Sequence, residues 1–365
     1  MDSYGKQEAG FELRVRFRER LSWLLLYSGF SGLLRFVPVD PSSAYIMLTD
    51  NCNSRCVTCN VWKNSSVNEL TTEEIKNLLH QLKEMGIKEL VFVGGEPLLR
   101  SDIGEVIREA SSLKFRAIIV VTNGLLLEKK AEELLDSGIT HIDVSIDSVG
   151  EANDKIRGVP GDYERAVKGI KAVQRLKRSK GLEVYVTIMT TLLMNDNVDR
   201  IPELVEVARS LEAYMLFNLL DDRIDVFKGI PFSELLVKDE QKIDETIDHL
   251  KMINKKYPNL ITQCDYSLEY ARNYLKGKNR YDFHCVHGYK RVYVGSHGEI
   301  YPSCWAMKPI GNIREDKLSD VIGSKEQREL AKKMYKMECP KCIQHYVPNI
   351  MMKHLLSHKL FCRNK

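Results

Sequence analysis

From Ala44 to about Asn218, short apolar runs alternate with longer stretches whose apolar residues recur every three or four positions. The short runs are Ala44–Leu48, Glu89–Val93, Arg116–Val121, His141–Ile146, Glu183–Met189 and Ala213–Asn218. Several are nearly continuous and rich in Val and Ile, as expected of strands covered on both faces of a parallel sheet. Between them, Thr72–Met85, Ile103–Leu113, Glu128–Ser137, Tyr163–Ser179 and Val198–Ser210 have the spacing of amphipathic helices. Thr71 followed by Glu74 fits a capping box at the first of these helices. Gly86 and Gly138 stand where helices commonly end in a left-handed residue. Consecutive βα units of this kind predict an α/β architecture, a partial (β/α)6 TIM-type barrel. In such barrels the working residues gather at the C-terminal ends of the strands.

Beyond Asn218 the rhythm changes. Ser233 to Tyr257 reads as one long charged helix, and Leu268 to Leu275 as another. Arg291–Val294 and Glu299–Tyr301 read as strands of a hairpin turned by Gly-Ser-His-Gly at 295–298. Lys317 to Lys365 reads as helical and basic. The expected organisation is therefore an N-terminal basic and aromatic segment (1–40), a barrel core (41–225), a helical linker (226–280) and a small cysteine-rich α+β extension (281–365).

In the first segment, Arg14, Arg16, Arg18 and Arg20 lead into an apolar stretch from Leu21 to Leu34. It is shorter than the about 20 apolar residues that a spanning helix needs. Three readings remain: a helix packed on the outside or across the open bottom of the barrel, peripheral membrane contact through residues 11–36, or a cleaved targeting segment.

Composition narrows the class. A chain of 365 residues with 44% hydrophobic and 28% charged residues can bury a sizeable core. The net charge of +4 is spread along the chain, so no nucleic-acid partner is expected. Nine cysteines in clustered spacings, with no secretory signal ahead of them, indicate metal ligation in a reducing compartment. The expected location is cytoplasmic, with membrane association as the alternative.

The chemistry starts at Cys52, Cys56 and Cys59, a C-x3-C-x2-C set directly after the first strand. Three thiolates on one loop can hold three irons of a [4Fe-4S] cluster and leave the fourth open. Clusters ordinarily take four protein ligands, so a three-ligand set points to catalysis. Zinc sites usually pair C-x2-C knuckles with four ligands. After the second strand comes Gly94-Gly95-Glu96-Pro97, which alone would be a turn. Asn123, Ser145 and Asp147 follow at later strand ends, then Arg157, with Asn195 after the fifth strand. Arginine suits a carboxylate, since its fork donates two parallel hydrogen bonds. Cys285, Cys304, Cys339 and Cys342 flank and follow the hairpin, enough for a second [4Fe-4S] cluster or a zinc ion. Cys264 reads as a core thiol and Cys362 as a tail residue.

In combination and strand order, the cysteine motif and Gly94-Gly95-Glu96-Pro97 resemble the radical S-adenosylmethionine (SAM) superfamily, and the C-terminal cysteines resemble its SPASM/twitch extension. The resemblance runs from about Ala44 to Cys342. It implies a SAM-binding [4Fe-4S] cluster on Cys52, Cys56 and Cys59. It places Gly94, Gly95, Glu96 and Pro97 at the methionine ammonium and Ser145 and Arg157 at the SAM carboxylate. Asp147 and Asn123 complete the pocket, with an acidic or polar residue reaching the ribose. Thr58 departs from the pattern, since an aromatic residue often precedes the third cysteine; Trp62 is placed to share its role. Cys285, Cys304, Cys339 and Cys342 would hold a second, auxiliary [4Fe-4S] cluster.

The implied activity is that of an oxidoreductase or maturase-type enzyme: reductive cleavage of SAM to a 5′-deoxyadenosyl radical, then hydrogen abstraction from a peptide or small molecule. The auxiliary cluster would assist the oxidation, and flavodoxin or ferredoxin would supply electrons. Sulfatase-maturing relatives carry an acidic residue directly after the post-hairpin cysteine, where this chain has Trp305. The competing readings are a membrane-surface radical SAM enzyme acting on a lipid-linked substrate, and a non-catalytic zinc or iron–sulfur protein that binds nucleic acid.

Overall fold

Six strands lie where the apolar runs predict them: β1 (Ser43–Met47), β2 (Glu89–Val93), β3 (Ala117–Thr122), β4 (His141–Ser145), β5 (Tyr185–Thr191) and β6 (Tyr214–Asn218). The computed structural model describes residues 41–64, 67–192, 194–220, 229–230, 232–278 and 284–340. The readings of residues 1–40, of the tail beyond 340, and of Cys342 and Cys362 lie outside those residues. Each strand pairs in parallel with its neighbour in sequence, in the order β6-β5-β4-β3-β2-β1.

The crossovers are helices α1 (Thr72–Glu84), α2 (Ile103–Ser112), α3 (Leu127–Asp136), α4 (Glu151–Arg157), α5 (Asp162–Lys180) and α6 (Ile201–Ser210). Only α4 lacks a counterpart in the sequence reading; at two turns it is too short for periodicity to reveal. The capping box at α1 forms, with the Glu74 amide donating to the Thr71 hydroxyl and the Thr71 amide to the Glu74 carboxylate.

Alternation along the strands divides their two faces. Ala44 and Ile46, Leu90 and Phe92, Ile118 and Val120, Ile142 and Val144, Val186 and Ile188 are buried together with the helices. Fully burying each of the Val, Leu, Ile and Phe side chains among them stabilises the fold by about 2 kcal/mol. The other set, including Tyr45, Met47, Val93, Asp143 and Ser145, faces the concave side of the sheet, the barrel lumen.

The C-terminal region departs from the expected plan in two places. The long helix expected over 233–257 is divided into α7 (Phe232–Leu235) and α8 (Glu240–Lys256). Asp239 caps α8 by accepting from the amides of Gln241 and Lys242, which starts a new helix instead of continuing the old one. α9 (Asp265–Leu275) and α10 (His287–Lys290) follow.

The hairpin forms as β7 (Arg291–Val294) and β8 (Glu299–Tyr301), followed by β9 (Gly311–Asn312), α11 (Leu318–Val321) and α12 (Lys325–Tyr335). β7 does not stand apart. It pairs in parallel with β1, so the central sheet has nine strands, ending β1-β7-β8-β9. Among the described residues no helix is long and apolar enough to cross a membrane.

Candidate active site

The cysteine loop leaves the C-terminal end of β1 and is tied down from three sides. Arg55 and Val57 donate their amides to the carbonyls of Arg157 and Ile156, docking the loop on α4. A side chain at Gly158 would overlap the Arg55 carbonyl, so this contact requires glycine. On the second side, Gly95 and Glu96 donate their amides to the carbonyls of Thr49 and Asn51. A Cβ on Gly95 would collide with the Asn51 carbonyl. The glycines of this motif thus let two backbone segments meet at the mouth of the barrel.

The third tie comes from the hairpin turn. Ser296 donates its hydroxyl to the Asp50 carboxylate at 3.0 Å, and Leu70 donates its amide to the Ser296 carbonyl at 2.8 Å. The C-terminal extension therefore braces the loop that carries the first three cysteines.

Glu96 is fully buried, and its carboxylate is spent on architecture. It accepts from the Leu98 amide at 2.9 Å, the Thr122 hydroxyl at 2.8 Å and the Asn123 amide at 2.6 Å. Burial pushes its carboxyl up while these three donors pull it down. Pro97 begins a short 3-10 turn directly behind it. Asn123 carries the link onward, donating its side-chain amide to Asn53 at 2.7 Å and to the Ser54 hydroxyl at 2.9 Å within the cysteine loop.

Asp147 is also buried. Its carboxylate accepts from the Thr191 amide at 2.7 Å and from Arg157 at 3.2 Å. Arg157 in turn is held close to the cysteine loop, where it opposes the upward push that burial exerts on the thiols of Cys52, Cys56 and Cys59. That push takes Cys56 up to about 12. Ser145 ends β4, half-buried on the lumen face. Asn195 bonds instead to the carbonyls of Glu234 and Leu235. Trp62 donates its indole N–H to the Cys59 carbonyl and stacks beneath Arg55, bracing the loop.

Two buried asparagines that sequence reasoning missed complete the wall. Asn153 accepts from the Asp147 and Ser148 amides and donates to Asp162. Asn197 donates to the carbonyls of Asp147 and Thr191. Nothing in their local sequence separates them from solvent-facing asparagines.

The donor sets fit iron–sulfur ligation. Cys52, Cys56 and Cys59 are free thiols on one loop, and the extension contributes the thiols of Cys285, Cys304 and Cys339 from separate segments. Amide N–H groups two residues on point at the sulfurs of Cys52, Cys59 and Cys304, at 3.4, 3.5 and 3.4 Å. Hydrogen bonds to sulfur are a normal support of cluster thiolates. Cys285 and Cys304 pack with Met334 and Met337, and Cys339 lies against them. No closed metal-binding group of His, Cys, Asp or Glu occurs among the described residues, so the fit rests on donor chemistry and not on a preformed cage.

With this geometry established, comparison with known proteins decides the family. Residues 46–208 match the model of the radical SAM superfamily. The chain belongs to that superfamily. Residues 285–343 match the SPASM iron–sulfur cluster-binding domain, so the cofactors are a SAM-binding [4Fe-4S] cluster, SAM and an auxiliary cluster.

A probable GTP 3′,8-cyclase of Methanocaldococcus jannaschii is 30% identical over 220 residues, covering 59% of this chain and 71% of the relative. An AdoMet-dependent heme synthase of Methanosarcina barkeri is 27% identical over 290 residues, covering 75% and 80%. Among solved structures, Streptococcus suis SuiB bound to its precursor peptide SuiA has the same fold. It superposes with a TM-score of 0.65 at 19% identity, covering 82% of this chain and 68% of SuiB.

One lumen residue was not singled out by any motif. Asp143 lies one layer below Ser145 on β4, between Val121 of β3 and Thr187 of β5. Burial pushes its carboxyl up to about 6, against a hydrogen bond with Thr187. A carboxyl whose folded-state value is raised binds its proton more tightly when folded. Its contribution to stability is therefore complete below the ordinary value near 4 and is lost as pH rises through about 6. Asp143→Asn is expected to resist urea better than the parent at pH 8, with the difference vanishing towards pH 4. Urea midpoints measured across that range check it.

Proposed function

We propose that this enzyme cleaves SAM reductively and oxidises a peptide segment or small molecule held in the barrel lumen, as an oxidoreductase or maturase. One observation supports this reading above the others: the two cysteine sets stand at opposite ends of the same strands. Cys52, Cys56 and Cys59 follow the C-terminal end of β1. Cys285 precedes β7, which is parallel to β1, and Cys304 follows the antiparallel β8, so both belong to the N-terminal end of β1. The strand between them spans about 16 Å. A substrate in the lumen would therefore have a radical source at one end and an electron acceptor at the other.

When bound, the first cluster supplies the electron that breaks the SAM sulfonium bond and frees a 5′-deoxyadenosyl radical to abstract hydrogen. The protein's part is positioning. Gly94, Gly95 and Ser145 line the mouth where SAM would lie. Asp147 orients Arg157, and Glu96 with Asn123 fixes the cysteine loop. Pooled charge of this kind, held by buried hydrogen bonds, needs no rearrangement when reaction begins. A peptide as substrate is supported by SuiB, whose solved complex holds a precursor peptide. A small molecule is supported by the cyclase relative, named for GTP.

Anaerobic reconstitution followed by dithionite and SAM is the test, with release of 5′-deoxyadenosine expected. No release from protein carrying both clusters would overturn the proposal. Cys339→Ala is expected to keep that release, because Cys339 belongs to the other end of the barrel, while losing the auxiliary iron. Iron counts and electron paramagnetic resonance (EPR) spectra of the reduced protein measure the loss.

A further inference from the structure

Aromatic rings connect the auxiliary-cluster cysteines to the lumen. Trp305 directly follows Cys304, and its ring meets Tyr293 edge-on with centroids 4.9 Å apart. Tyr293 stacks on Tyr45 at 4.8 Å with the planes 9° apart. Tyr45 and Tyr293 are paired residues on neighbouring parallel strands, β1 and β7, and both face the lumen side of the sheet. Tyr293 is 1% exposed, so no water separates its ring from its neighbours. Tyr45 stands two residues before the end of β1, the strand that leads to the first cysteine loop.

We propose that Trp305, Tyr293 and Tyr45 form the route by which electrons pass between the lumen and the auxiliary cluster. The inference rests on the functional reading above. In turnover, a substrate-centred radical would give up one electron and its resulting cation would lose a proton to water. The auxiliary cluster would gain the electron, going from its 2+ to its 1+ state. Tunnelling decays steeply through gaps and less through packed atoms, and these rings leave no gap.

Arg291 decides how the route works. Its guanidinium lies over the Tyr45 ring at 4.8 Å and donates to the Tyr293 hydroxyl at 3.2 Å. A cation beside both rings disfavours removing an electron from them. The Tyr293 hydroxyl accepts a hydrogen bond from that cation. The rings therefore act as a bridge that the electron crosses without stopping. The ring matters and the hydroxyl does not.

The test needs no substrate. Holoenzyme is reduced with dithionite, desalted without air and mixed with SAM. The first cluster's electron yields one equivalent of 5′-deoxyadenosine in uncoupled cleavage. The auxiliary cluster can then refill the first, giving a slower second equivalent while its own EPR signal decays at the same rate. Tyr293→Leu and Tyr45→Leu are expected to slow that decay about ten-fold or more, because leucine leaves a gap where the rings were packed. Tyr293→Phe should behave like the parent.

Iron content and the initial EPR spectrum confirm that every variant starts with both clusters. Independence from protein concentration confirms transfer within one chain. Equal decay in the leucine variants and the parent overturns the route, as does a parent with no second phase. Absence of the first equivalent would instead overturn the functional reading itself.

Discussion

Cys56→Ala protein, reconstituted without air, is expected to release 5′-deoxyadenosine at the level of an enzyme-free control. Cys56 sits between the other two thiols of its loop, next to Arg157, and the other described cysteine beyond the C-terminal strand ends, Cys264, follows the segment alongside β6, five strands across the sheet from β1. Alanine therefore leaves two thiolates for a cluster that already has one iron without a protein ligand, and no neighbour can substitute. The loss should be one of iron, not of fold. The backbone ties of this loop come from the amides of Arg55 and Val57, which alanine at 56 leaves in place. Two measurements check this together: iron per chain should fall by about one cluster's share, since the auxiliary set is untouched, and the far-ultraviolet circular dichroism should match the parent. Full SAM cleavage by this variant would remove Cys56 from the ligand set.

Glu96→Ala is expected to have the largest effect on stability. The change strands three buried donors at once, the amides of Leu98 and Asn123 and the hydroxyl of Thr122. At roughly 1–3 kcal/mol for each orphaned group, a loss of ~3–5 kcal/mol is expected, a large share of a typical domain's stability. Glu96→Gln should be milder but not silent, since its amide nitrogen would face an N–H where an oxygen now accepts. The consequence reaches the active site through Asn123, whose side chain holds Asn53 and Ser54 of the cysteine loop. Urea unfolding gives the stability change. Iron retention on desalting reports the loosened loop, and retention equal to the parent in Glu96→Ala would show that the link does not matter to the cluster.

The same residue shows how far a sequence motif can be read. Gly94-Gly95-Glu96-Pro97 marks a place in the chain, and its resemblance assigns that place to the SAM ammonium. In the structure the Glu96 carboxylate accepts from Leu98, Thr122 and Asn123, and the glycines pack closely against Thr49 and Asn51. Asp147 is similar. Its carboxylate is occupied by Thr191 and Arg157, so it acts on the mouth of the barrel through the arginine it holds. Whether a polar side chain faces a ligand or a neighbouring backbone depends on which strand end lies beside it, and spacing does not carry that information.

The sequence by itself determined the barrel strands, the main helices and the two cysteine sets. Period and local capping act over a few residues, and thiol spacing within one loop is set by the chain alone. Tertiary structure decided that β7 extends the barrel sheet at β1, which places the second cysteine set at the opposite end of the lumen from the first. It also decided that Asp143 faces that lumen and that Tyr45, Tyr293 and Trp305 stack. The place of β7 and the ring stack depend on pairing between strands roughly 250 residues apart, and that of Asp143 on the pairing of β4 with β3 and β5; in each the partner is chosen by burial and edge hydrogen bonding, and no local pattern records the choice.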